Sequence, residues 1–297
     1  MRVDSNYYGQ VLNSLNNVEQ QQQTELQELS TGRSVNVPSD NPTAAALEVG
    51  NLASTADAAQ YEQNVSSAQT LMNSANSALE SVVTNLNQAI SLGTEAANGT
   101  VTAAQQKQTA TTVSGILSQI VSLANTSVQG VYLFAGTASG SAPFALNSDP
   151  TTGVTYSGND QVNSIPTGTG TSVPSNVPGD QIFTSSSGNV MQSLTDLVNA
   201  LNSNDTSGIA SATTAVQSAL ANVSLQQGNY SSTLSQLSSD NTYLQSETVT
   251  LQTQQNNLVG ANMAQVISTL TQSQTTEQAT MEAMAKIMPM SLLNYLQ

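Results

Sequence analysis

Val216, Val223, Tyr230, Leu237, Leu244, Leu251 and Leu258 follow one another at intervals of seven residues. Only a long helix keeps such a series on one face, because a strand alternates every two residues and a short helix ends before the pattern repeats. A second series, Val65, Ala68, Met72, Ala75, Leu79, Val82, Leu86 and Ala89, holds three-four spacing inside a stretch that runs from Pro42 to about Ala97. At about 1.5 Å per residue, that stretch predicts a helix roughly 80 Å long. Isolated helices of this kind are marginal, so the two seams are expected to pack on each other as the intramolecular core. The companion slots Asn241, Thr248, Gln255 and Asn262 turn polar, so the second seam weakens toward the C-terminus.

The N-terminal segment shows a related but poorer pattern. Leu12, Leu15, Leu26 and Leu29 are spaced as a heptad seam, with Glu19 and Gln22 in the intervening slots, predicting a helix from Ser5 to about Ser30. Polar seam positions lower stability and fix register against a particular partner. Gly32 is placed as a C-terminal cap, and Asn41-Pro42 reads as N-cap and first residue of the next helix, leaving a shaped loop between. Arg33, the one cation between Arg2 and Lys107, shares that loop with Asp40, and a charge-assisted contact across the loop or to a neighbouring subunit is expected. A last helix carries Met263, Val266, Ile267, Leu270, Met281, Met284 and Ile287 and is expected to break at Pro289, before the tail Ser291 to Gln297. Met281, Met284, Met288 and Met290 suit either gap-filling core or an adaptable surface. The two terminal segments, with matching polar interruptions, are expected to pair antiparallel and to leave apolar stripes for intermolecular packing.

Between the long helices lies a third, Thr102 to about Val128, with Val113, Ile116, Ile120 and Leu123 on one face and Gly130 at its end. The texture changes after it. From Val131 to Ser187 Gly, Pro, Ser and Thr dominate, and strands are expected at Val131 to Phe134, Val154 to Tyr156 and Gln181 to Thr184. Helical periodicity returns at Met191, Leu194, Leu197, Val198 and Leu201, pauses at Asn202 to Gly208 and resumes at Ile209. The expected fold class is mainly α: a long antiparallel coiled-coil or helical-bundle rod with a small β-rich insertion domain. Its expected parts are 1–41 with 256–297, 42–137 with 188–255, and the insertion 138–187.

Composition narrows the function. Charged residues make up 8% of the chain, and 19 acidic residues against 4 basic ones give a net charge of −15, the wrong sign for nucleic acid or an anionic membrane. There is no His and no Cys, which removes the usual general bases and thiolate ligands and argues against an enzyme. Asp149, Asp160 and Asp180 are spaced too widely for a calcium loop and read as turn residues, so no metal or cofactor is expected. Met1 to Gln10 lacks an apolar signal-peptide core, so no general secretory leader is expected.

The stretch Leu29 to Ala46, with its helix end, Ser-Thr-Gly-Arg turn and Asp-Asn-Pro helix start, resembles the N-terminal signature of the flagellin superfamily. Three further pieces resemble the hook-filament junction branch of that superfamily. They are Gly130-Val131-Tyr132-Leu133-Phe134-Ala135-Gly136-Thr137 with Pro143-Phe144, Tyr156-Ser157-Gly158-Asn159 with Val177-Pro178-Gly179-Asp180-Gln181-Ile182-Phe183, and the tail Ser291-Leu292-Leu293-Asn294-Tyr295-Leu296. Members more often have Asp where Asn41, Asn159 and Asn294 stand. The resemblance implies a structural subunit of the bacterial flagellum, exported through the flagellar type III pathway with an export chaperone and located outside the cell. It also implies a homo-oligomeric ring with hook-associated protein 1 on the hook side and flagellin on the filament side. The assembly interface would then include Leu12, Leu15, Leu26, Leu29, Arg33, Asp40, Asn41, Met263, Ile267, Leu270, Met281, Met284, Leu292, Leu293, Tyr295 and Leu296. A flagellin filament subunit is the alternative, and an adhesin with a coiled-coil stalk is a further one.

Overall fold

The computed structural model describes residues 5–147 and 153–295, with side chains from Gly9 to Lys286. Its long helices are α1 (Ser5–Thr31), α2 (Pro42–Ala96), α3 (Ala103–Ala124), α5 (Val190–Ser203), α6 (Thr206–Val259) and α7 (Met263–Tyr295), with a short α4 at Gly179–Phe183. The boundaries follow local chemistry. Gly32, at φ 70°, closes α1 by donating its N–H to Glu28 O at 2.8 Å, the left-handed cap that a residue without Cβ adopts freely. The Asn41 side chain accepts the Ala44 N–H at 3.0 Å, with Pro42 as the first helical residue. Thr102 and Gln105 form a reciprocal capping box at α3.

Residues up to Asp57 and from Ser246 onward form one compact unit, and Ala58–Gln245 forms the other. The division falls inside α2 and α6 rather than at their ends. In the Ala58–Gln245 unit the two long seams predicted from spacing meet in one core. Val65, Leu79, Val82 and Leu86 from α2 share it with Val216, Val223, Tyr230 and Leu237 from α6, and α3 and α5 add Val113, Ile120, Leu194 and Leu197. The Tyr230 hydroxyl accepts the Val177 N–H at 3.1 Å, and burial pushes its pKa up to about 12.

Phe144, Val173, Ile182 and Phe183, from the stretch expected as an insertion, are buried in this same core. Four antiparallel two-stranded hairpins occur among the described residues: β1 with β2 (Ser127–Val128, Val131–Tyr132), β3 with β4 (Phe144–Leu146, Val154–Tyr156), β5 with β6 (Ser164–Gly168, Thr171–Pro174), and β7 with β8 (Thr184–Ser185, Gly188–Asn189). Three expectations are corrected here. The third helix stops at Ala124, because Asn125 turns its side chain to Phe144, donating to its carbonyl at 2.7 Å and accepting its N–H at 2.9 Å. Gly130 therefore does not end a helix. With Gln129 it forms a two-residue turn with positive φ at both positions, 53° and 83°, the hairpin geometry that matches strand twist. Gln181 to Phe183, expected as strand, lies in α4, where the Asn222 side chain donates to Gln181 O and Ile182 O at 3.1 Å each. Finally, α7 continues through Pro289 to Tyr295. No helix among the described residues is long and apolar enough to cross a membrane.

The three phenylalanines of the chain sit together in the second unit. Phe183 packs edge-on against Phe134 and Phe144, each at 5.3 Å between ring centroids, and Tyr156 lies 4.8 Å from Phe144. The Tyr156 hydroxyl donates to Phe134 O at 3.2 Å or Asn159 O at 3.0 Å. Asn159 in turn accepts the Thr137 N–H at 2.8 Å and donates to Thr137 Oγ1 at 2.7 Å. A Cβ on Gly179 would stand 2.6 Å from Phe134 O and 2.8 Å from the Phe144 ring, so only glycine fits there. The motif pieces around Phe134, Phe144, Tyr156 and Phe183 are thus one contiguous packing element.

Candidate assembly surface

In the unit made by the two ends of the chain, α1 and α7 pack antiparallel. The side chains of α1 that turn inward are Val11, Leu15, Val18, Gln22, Glu25 and Leu29, and those of α7 are Val266, Leu270, Ser273, Glu277, Thr280 and Met284. Both sets keep four-three spacing, so the pair is a heptad seam, but the seam is offset by one residue from the most apolar one in the sequence. Leu12 and Leu26 are therefore left 53% and 51% exposed, and Met263, Ile267 and Met281 also point outward.

Polar groups hold the middle of this seam. Gln22 Nε2 donates to Glu277 Oε2 at 2.7 Å. Glu25, only 6% exposed, accepts Gln21 Nε2 at 3.0 Å and Ser273 Oγ at 3.5 Å through the same oxygen. Its Oε2 is buried without a hydrogen-bond partner among the described residues, an arrangement that weakens a helix pair.

The loop after α1 is tied to the junction of α6 and α7. Arg33 and Gly260 form an antiparallel bridge, the Ser34 N–H donates to Val259 O at 2.8 Å, and the Ala261 N–H donates to Gly32 O at 2.9 Å. Val35, Ala44 and Val259 make a small apolar cluster behind it. Arg33 makes a charge-assisted contact, though not with Asp40, which shares its loop. Its guanidinium forms an ion pair with Glu48 on α2, whose side chain is 11% exposed, and its Nε donates to Val35 O at 3.3 Å. Asp40 instead accepts the N–H groups of Asn36 and Val37, both at 2.9 Å, and is too occupied by its own turn to reach across.

These backbone donors hold the Asp40 carboxyl below the ordinary carboxylate range, whereas burial, then Glu25 and Asp40 as negative neighbours, push Glu28 up. The two act in opposite directions. A lowered carboxyl contributes stability above its unfolded pKa and loses it as pH falls through the folded value, while a raised one favours folding as pH falls. Amide exchange protection at Asn36 and Val37 is accordingly expected to persist on mild acidification and to collapse only below about pH 4, where an ordinary aspartate protonates. Asp40→Asn should remove this protection at every pH. Unchanged exchange at those two amides would rule out the carboxylate as the loop's organiser.

The predicted interface residues thus fall into four groups. Leu12, Leu26, Met263, Ile267 and Met281 are outward; Leu15, Leu29, Leu270 and Met284 are half-buried in the seam; and Arg33, Asp40 and Asn41 build the loop and the start of α2. Leu296 lies outside the described residues, and the side chains of Leu292, Leu293 and Tyr295 lie outside the described side chains. Sequence reasoning missed Leu47, Val49 and Leu52 on the first turns of α2, Val249 near the end of α6, and Val37, all exposed on this same unit. The available signal was that Leu47, Val49 and Leu52 precede the strict spacing that starts at Val65. It missed Glu48 because nothing local links it to Arg33. This unit therefore buries few apolar residues of its own and displays many, while among the described residues of the other only Leu225, Val131, Leu146, Val162 and Tyr243 are exposed large apolar ones. Contiguous exposed apolar area is characteristic of interaction surfaces, whereas scattered exposed apolar residues are ordinary.

A mainly helical chain whose two ends pair and present apolar side chains outward has known relatives. Residues 5–139 match the bacterial flagellin N-terminal helical region. Over 150 residues the chain is 33% identical to flagellar hook-associated protein 3 of Salmonella typhimurium, covering 48% of this chain and 46% of that protein, so the match spans about half the length of the curated relative. The fold resembles that of a putative flagellar hook-associated protein from Vibrio parahaemolyticus, with a TM-score of 0.67 and 19% identity over 74% of this chain and 100% of the other. It also resembles FlgL of Bacillus cereus, with a TM-score of 0.59 and 22% identity over 70% and 99%. The flagellar junction protein FlgL of Legionella pneumophila gives 0.58 and 14% over 72% and 100%. The resemblance to the flagellin superfamily, and within it to hook-associated protein 3, is therefore found by sequence, and the fold is that of the FlgL structures.

Proposed function

We propose that this chain is a structural subunit of the bacterial flagellum that forms the junction between hook and filament. The observation that carries this reading is the outward apolar stripe of Leu12, Leu26, Met263, Ile267 and Met281 on a unit with a minimal core of its own. Such a surface is satisfied by neighbouring subunits, and the likeness to hook-associated protein 3 supports the flagellum as the assembly. In this reading the unit made by the chain ends packs into a ring of identical copies, with hook-associated protein 1 on one side and flagellin on the other. The chain reaches that place by flagellar type III export, accompanied by a chaperone, and works outside the cell. It performs no reaction. The match of residues 5–139 to the flagellin N-terminal region favours one second reading, a filament subunit.

Deletion of the gene separates the two. Electron microscopy should show hooks without filaments, with flagellin lost to the medium and hook-associated protein 1 still at the hook tip. Bare hooks with all junction proteins in place and no flagellin in the medium would make it the filament subunit, and normal flagella would remove both readings.

A further inference from the structure

The buried heptad series of α6 contains one side chain with a polar tip. Val216, Val223, Leu237 and Leu244 are aliphatic, whereas Tyr230, equally buried, carries a hydroxyl into the core. That hydroxyl accepts the Val177 N–H, so its own proton is left to donate, and no acceptor for it stands among the described residues. Its pKa, pushed up to about 12 by burial, keeps the proton in place throughout the neutral range. A polar atom in a seam of this kind calls for a partner.

A second donor lies one residue before Val177. Asn176 is only 8% exposed, and its Oδ1 accepts the Asn163 N–H at 2.7 Å. This bond settles which way the side-chain amide points, since the reversed amide would set two donors against each other. The opposite end is therefore Nδ2, which is buried with no hydrogen-bond partner among the described residues. Asn176 and Tyr230 line the same cavity of about 60 Å³, together with Asn163, Leu71 and Ala75 of α2, and Leu133. None of the residues lining it is charged, and Lys107 is the one Lys or Arg between 58 and 245. An anion would find no positive charge there, and a cation would face hydrogen-bond donors. A water needs roughly 10 to 15 Å³ of such space and accepts from two donors at once, so it fits both the size and the chemistry.

We propose that this cavity, between α2, α6 and the ends of the β5–β6 hairpin, is a binding site for water, held by the Asn176 side-chain amide and the Tyr230 hydroxyl. Through it the ends of the hairpin are fastened to the two long helices by polar contacts as well as by packing. The site also gives a reason for a tyrosine in an otherwise aliphatic series. It lies wholly within the Ala58–Gln245 unit, so its failure would leave the flagellar reading standing.

The test is nuclear magnetic resonance of the full-length protein labelled with nitrogen-15 in asparagine, with the Asn176 side-chain signal identified by its loss in Asn176→Asp. Rotating-frame spectra separate direct contact with water from proton exchange by the sign of the cross peak. Both Asn176 side-chain amide protons should show a contact peak to water. Its absence overturns the proposal. Tyr230→Phe should keep the peak, because Nδ2 still holds the water; loss of the peak in that variant overturns the proposal, since the signal then reached the amide by relay through the hydroxyl proton. Ala75→Met fills the cavity from α2 with a flexible, helix-compatible side chain and touches neither donor. It should abolish the water peak and lower the urea midpoint of this unit, because the displaced water leaves both donors bare. A raised midpoint overturns the proposal, because a dry cavity gains by being filled.

Discussion

Leu26→Asp is expected to abolish incorporation of the protein into flagella while leaving the Ala58–Gln245 unit folded. Leu26 is 51% exposed on α1, makes no part of the α1–α7 seam, and has no role in the core of the other unit. The free protein therefore loses almost nothing. In an assembled ring, burying a leucine contributes about 1.5 to 3 kcal/mol, and a carboxylate buried there without a partner costs several kcal/mol more. At about 1.4 kcal/mol per factor of ten, even the lower figure weakens each subunit contact roughly tenfold, and a ring multiplies the loss. Immunoblotting of sheared flagella should show the variant absent from the structures and present in the medium, with cells non-motile. Leu225→Asp is the control, since Leu225 is 63% exposed on the other unit and should be incorporated normally. Normal flagella from the Leu26 variant would remove α1 from the interface.

The second large effect is on stability. Phe183→Ala should destabilise the Ala58–Gln245 unit by about 3 to 5 kcal/mol, the range for removing a buried aromatic ring. Phe183 is fully buried and holds Phe134 and Phe144 edge-on at 5.3 Å each, so its removal leaves a cavity bordered by two rings and by the α4 turn. The surroundings have little freedom to collapse, because the Gly179 N–H is bonded to Phe134 O at 2.8 Å and the Asn222 side chain pins the α4 carbonyls. Urea unfolding followed by circular dichroism should show the transition of this unit at a clearly lower midpoint, with Phe183→Leu intermediate. A midpoint within experimental error of the parent would mean that the long helices alone hold the hairpins in place.

Two helix boundaries were legible from short-range chemistry. Gly32 and Asn41-Pro42 each act on backbone groups within a few residues, so the sequence contains the whole interaction, whereas the end of α3 and the passage of α7 through Pro289 were misread. The seams from Val65 to Ala89 and from Val216 to Leu244 were legible for a different reason: each helix offers only one strongly apolar face, and burial leaves no second choice. The hairpins were less so. Phe144–Leu146 and Thr171–Pro174 are too short for alternation to register, and the end of α3 depends on Asn125 meeting Phe144 nineteen positions later.

The interface shows where the limit falls. The sequence by itself determined that α1 and α7 are amphipathic, polar in mid-seam and unable to bury all their apolar residues. It also determined that the chain has no imidazole and no thiol group, since it contains no His or Cys. Only the tertiary structure decided which of two nearly equivalent faces of each helix turns inward, that Arg33 pairs with Glu48 rather than Asp40, and that Leu12 and Leu26 point to solvent. A heptad pattern specifies a stripe, but two stripes half a residue step apart differ by the small balance of a few side chains. Contacts that join segments more than two hundred residues apart in the chain, such as the Ser34 N–H to Val259 O bond, lie outside any such pattern.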